Sequence, residues 1–237
     1  MDREHAAILA AIKRAGRTGP EARQANDSYL GSGHLYYGTP VPDRRAIAKA
    51  WLAAHKAAGA AEVLAVAESL LDGESHDEKT VACFLVALHA PIRRAVRPED
   101  VDRWLGRLNG WAEVDGLCQN LFKAEDMLAD WPAWLALIER LSRAADLNRR
   151  RASLVLLTGP THYSADTRFR DLAFAMIERA KGERDIMITK AVSWLLRSMT
   201  TRHGEVVARY VEDNAASLPA IAVRETWTKL RTGKKTG

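Results

Sequence analysis

A tryptophan and an aspartate stand four residues apart in "NGWAEVDGLCQNLF", Asn109 to Phe122. The segment has helical spacing, so Trp111 and Asp115 project from one face of a predicted helix. An electron-rich ring beside a carboxylate suits a centre where positive charge develops. The ring offers cation–π attraction and the carboxylate offers Coulombic stabilisation. Singly, each residue has a plainer reading, Trp111 as core and Asp115 as a solvated helix position. A second tryptophan, Trp194, follows Lys190 by one turn in "KAVSWLLR", and "NRRRAS" gathers Arg149, Arg150 and Arg151. Other cations are spread along the chain: Arg44, Arg45 and Lys49; Arg93, Arg94 and Arg97; Lys229, Lys234 and Lys235. Such dispersal suits a groove that follows a phosphate backbone, with separate solvated faces as the alternative.

Composition bounds what these groups serve. The 237 residues suffice for one large core or an extended repeat array. At 47% hydrophobic and 27% charged, the chain has an ordinary globular make-up, and no apolar run approaches membrane-spanning length. The start "MDREHAAILAAIKRAG" is too charged for a signal peptide, and Cys83 and Cys118 stand without metal or redox spacing. A reduced, cytoplasmic setting is therefore expected. The net charge of +5, with pI near 9.3, is compatible with a nucleic-acid partner without requiring one. The seven histidines form no HExxH, and "GSGH" has neither a preceding strand nor a third glycine in register. P-loop and GxSxG motifs are also missing, so no metal, nucleotide or other cofactor is expected.

The elements that must position the site read as helices almost throughout, with no sustained alternation of apolar and polar residues. Expected helices include "DREHAAILAAIKRAG", stopped by Gly16, a shorter one from Glu21 to Leu30, and one entered through Pro42 after the Gly/Pro-rich loop "GSGHLYYGTPVP". Thereafter they come in pairs: Ala60–Leu71 with His76–His89, Pro98–Leu108 with Trp111–Phe122, and "DWPAWLALIERLSRA" with "DLNRRRASLVLL". Trp111, Arg151 and Trp194 are separated by intervals close to the roughly 40–47 residues of HEAT and armadillo units. The expectation is an all-α single domain over 1–237, a curved solenoid of antiparallel HEAT-like repeats, with a frayed tail at 232–237. On such a solenoid Trp111, Asp115, Arg151, Lys190 and Trp194 would share one concave face.

Four stretches, "LYYGTPVPDRRAIAK", "WAEVD", "RRRASLVLL" and "KAVSWLLR", resemble the AlkD-type DNA glycosylases of the DNA alkylation repair enzymes. The likeness runs from about Tyr29 to Trp227. It implies that Trp111 and Trp194 flank the sugar and backbone of the damaged nucleotide, and that Asp115 is the catalytic carboxylate. It further implies that Arg151 contacts the DNA backbone and that Tyr29 helps to line the cleft. Lys190, Arg150, Arg44 and Arg45 are expected to add backbone contacts. One departure is visible: relatives often carry an acidic residue directly after the first tryptophan, where this chain has Ala112 and then Glu113. The implied activity is excision of cationic N3- or N7-alkylated purines, 3-methyladenine and 7-methylguanine, from double-stranded DNA by a monomeric enzyme. The alternatives are a non-catalytic DNA-binding repeat protein and a protein–protein scaffold.

Overall fold

The structure, a computed structural model, describes residues 3–17 and 29–235. Among them the regular elements are helices, apart from one isolated parallel bridge between Leu35 and Ser75. Two compact units meet in sequence at Leu121 and Phe122. The expected helix from Glu21 to Leu30 lies outside the described residues except for Tyr29 and Leu30.

In the first unit the helices are α1 (Arg3–Ala15), α2 (Val41–Ala54), α3 (Ala60–Leu71), α4 (His76–Leu88), α5 (Ala90–Ala95), α6 (Pro98–Leu105) and α7 (Gly110–Asn120). Helix α4 packs against α1, α2, α3, α5 and α7, which is why every residue from His76 to Val86 is buried. It is apolar from Val81 on, but it begins His76, Asp77, Glu78, Lys79, Thr80. Charged groups tolerate such burial only when hydrogen-bonded or paired. Here each is. Asp77 accepts from the Tyr37 and Thr39 N–H groups at 2.7 and 3.2 Å. Glu78 closes a capping box with Ser75 and bonds His5 of α1 at 2.7 Å. The Lys79 ammonium donates to the Leu71 carbonyl at 2.7 Å, and burial lowers its pKa. Thr80 accepts from Arg44 of α2 at 2.9 Å. This polar turn ties α1, α2 and the 31–39 loop to one helix.

The expected pairing of 60–71 with 76–88 is present as α3 on α4. That of 98–105 with 110–120 is not the principal one, because the main neighbour of α7 is α4. Pro42 falls in the first turn of α2, as its missing N–H allows.

The second unit comprises α8 (Ala124–Leu128), α9 (Trp131–Ser142), α10 (Leu147–Val155), α11 (Thr158–Tyr163), α12 (Thr167–Ala180), α13 (Ile186–Asp213) and α14 (Ala220–Thr232). Helices α9 and α10 form the expected pair, and α13 packs against α10, α11, α12 and α14. Helices α10, α12 and α13 each begin on an aspartate cap (Asp146, Asp166 and Asp185), whose carboxylates satisfy otherwise unpaired N–H groups. The sequence reads as two helices between Ile186 and Asp213. The structure joins them across a kink at His203, where φ is −132° and ψ is 33°. Helix α14 ends in a left-handed cap at Gly233, one residue into the tail expected to fray. Both cysteines are free and buried, and burial pushes the Cys83 thiol up to about 12. No helix among the described residues is long and apolar enough to cross a membrane.

Candidate active site

Helix α7 carries Trp111 and Asp115 one turn apart. It begins abruptly. Asn109 is the N-cap, its side-chain oxygen accepting from the Gly110 N–H at 3.0 Å while its amide nitrogen donates to the Ser32 carbonyl at 2.9 Å. Gly110 has φ of +72°, and a Cβ there would stand 2.2 Å from the Leu30 carbonyl oxygen. Only glycine meets both demands. The 29–34 segment is thereby brought against the helix start. The Trp111 indole N–H donates to the Tyr29 carbonyl at 3.0 Å, and the two rings meet edge to face with centroids 5.5 Å apart. Tyr29 is 68% exposed, Trp111 is half-buried, and Asp115 is only 8% exposed. The first unit therefore places Trp111 and Asp115 one turn apart on α7, with the Tyr29 ring against Trp111.

Between the two expected site residues lies one the sequence left without a role. Glu113 is buried, with its carboxylate wholly shielded from solvent. It accepts from His34 Nδ1 at 2.9 and 3.1 Å, from the Asn109 N–H at 2.9 Å and from His76 Nδ1 at 3.3 Å. Burial opposes its ionisation, but these donors outweigh it and hold the carboxyl at about 2. The signal was present in "NGWAE", a helix cap followed four residues later by an acid. Its partners come from the distant "GSGH" and "ESH", which no spacing rule connects.

In the second unit, Arg151 of α10 is 5% exposed and donates from its guanidinium to the Met187 carbonyl in the first turn of α13. Met187, Lys190 and Trp194 follow one another at helical intervals of three and four, so they share a stripe of α13. Lys190 is exposed and Trp194 half-buried. Lys190 and Trp194 thus share one face of α13, and Arg151 bonds the backbone of its first turn.

Besides Arg151, two of the cations expected to contact DNA are engaged within the protein. Arg44 is buried, bonded to Thr80 and paired with Asp77 at 3.8 Å; burial lowers its pKa against the pull of Asp77. It braces α2 against α4 and offers nothing to a phosphate. Arg150 is engaged with Glu183 through two nitrogens at 3.0–3.3 Å and donates to the Ala144 and Ala145 carbonyls at 2.9 and 2.7 Å. Helical spacing told that these residues lay on helices but not that Arg44 turns inward and Arg150 pairs with Glu183. Arg45, in contrast, is exposed, with its guanidinium over the Phe84 ring at 4.7 Å. Among the described residues no group of three or more His, Cys, Asp or Glu is arranged to hold a metal ion.

Fold and site together define an all-helical protein whose helix α7 carries a shielded carboxylate beside an indole ring. Comparison with known proteins gives this class its family. The model of the DNA alkylation repair enzymes matches residues 10–230, and the chain belongs to that family. A solved structure described as a predicted DNA alkylation repair enzyme from Enterococcus faecalis is similar over 92% of this chain and 98% of its own. The TM-score is 0.71 at 19% identity, which establishes a shared fold. No curated protein matches the chain.

Proposed function

We propose that the protein is a DNA glycosylase that hydrolyses the N-glycosidic bond of cationic N3- or N7-alkylated purines in duplex DNA. One observation carries this reading: an almost fully buried Asp115 one helical turn from Trp111, whose ring is held by Tyr29. A purine already positively charged by alkylation is a good leaving group, because departure discharges it. The barrier then lies in positive charge developing on the deoxyribose. A carboxylate shielded from water stabilises that charge far better than one in bulk solvent, and it can orient the attacking water. The indole face of Trp111 adds roughly 0.5–2 kcal/mol of cation–π attraction. Trp194 has the second such ring by resemblance, and the exposed Lys190 and Arg45 are the phosphate-contacting cations.

The deciding experiment is release of 3-methyladenine and 7-methylguanine from methylated duplex DNA. Asp115→Asn removes the charge and little volume, so duplex binding should persist while excision falls about 10²–10³-fold. Near-normal excision by this variant would remove Asp115 from the mechanism.

A further inference from the structure

We propose that Glu113 is the positioning residue of this site, fixing Trp111 and Asp115 through a clasp closed by His34. Only the activity readout of this proposal rests on the glycosylase reading; the clasp stands on geometry. Glu113 lies two residues from both Trp111 and Asp115, and two residues on a helix turn about 200°. It therefore projects from the back of α7, opposite the face they share, and cannot itself reach the reacting sugar. What it reaches is a junction of three segments: His34 from the 31–35 loop, His76 at the start of α4, and the Asn109 N–H of its own helix cap. An ionised carboxylate only accepts, so both imidazoles present Nδ1–H to it.

The 29–34 segment is bonded to the start of α7 at two further points, Asn109 Nδ2 to the Ser32 carbonyl and Trp111 Nε1 to the Tyr29 carbonyl. At Gly110 the two backbones approach too closely for a Cβ to enter. Rotation or sliding of α7 is thus opposed from behind by Glu113 and from the side by the loop. The Tyr29 ring is held against Trp111, one turn from Asp115 on the same helix. A displacement of about 1 Å at a catalytic group costs up to about 10²-fold in rate, so loss of the clasp should be felt in the chemical step.

The test uses the full chain with Glu113→Gln, His34→Leu and His34→Gln. Trp111 has one of seven indole N–H resonances, assigned by its disappearance in Trp111→Phe. In Glu113→Gln and His34→Leu that resonance should move and exchange faster with water. The single-turnover excision rate per folded molecule should fall about 10–100-fold, with duplex affinity held within about threefold. His34→Gln keeps an N–H donor and should recover most of the rate. If Glu113→Gln does not fold, His34→Leu, at a partly exposed position, carries the same readouts. A lowered melting temperature with the indole resonance and the rate per folded molecule both unchanged would overturn the proposal. Should the resonance respond while the wild-type protein releases no base, the glycosylase reading fails and the clasp remains.

Discussion

Replacing Glu113 by Gln should make stability lose a pH-dependent component whose size follows from the geometry around the carboxylate. The oxygens take hydrogen bonds from His34, His76 and the Asn109 N–H, and His34, His76, Lys79 and Cys83 are the titratable groups that face it. These contacts lower the pKa from an ordinary 4.5 to about 2 against the cost of burial. A group whose folded pKa is depressed contributes stability above its unfolded pKa and loses it as pH falls through the folded value. The shift corresponds to roughly 3 kcal/mol at neutral pH, of which roughly 2 kcal/mol should be gone by pH 3. The glutamine amide also forces a choice: its NH₂ faces either the Asn109 N–H, a fixed donor, or His34, whose imidazole must then change tautomer to accept. Urea unfolding of wild type and Glu113→Gln at pH 7, 5, 4 and 3 measures the difference, with other carboxylates subtracted because both proteins carry them. The gap between the two proteins should be widest at pH 7 and should close towards pH 3. A gap that stays constant over this range, or none at pH 7, would refute an ionised, hydrogen-bonded Glu113.

Three further outcomes are expected. Gly110→Ala combines left-handed backbone strain of about 1–2 kcal/mol with a clash against the Leu30 carbonyl, so it should lower urea stability by more than the strain alone. Stability within about 0.5 kcal/mol of wild type would show that the close approach is easily relieved. Duplex affinity should fall linearly with log salt, and Lys190→Ala should reduce the slope by about 1, whereas a flat salt dependence would count against phosphate contacts. Uracil and hypoxanthine in the same duplex context should not be released over long time courses, because neutral bases need a proton donor and the proposed mechanism uses Asp115 as a carboxylate. Efficient release, lost in Asp115→Asn, would require an acid not yet identified.

The all-helical class was legible in the sequence because burial of one apolar stripe writes a 3.6-residue period into the chain, and this chain shows it almost throughout. Trp111 and Asp115 could be placed on one helix, one turn apart, since helical geometry is local. The same holds for Lys190 and Trp194 on α13. Local pattern does not say which way a long polar side chain turns. Arg44 and Arg45 are adjacent in sequence and equally basic, yet one is buried against Thr80 and Asp77 while the other is exposed. The difference is fixed by the packing of α2 on α4, and only the tertiary structure contains it. His34, His76 and Glu113 belong to three separate segments, and nothing in their spacing links them. They meet because the 31–35 loop and the polar first turn of α4 close on the start of α7. That convergence makes a cap-proximal acid into a buried, ionised anchor beneath the tryptophan and the aspartate that the sequence had already singled out.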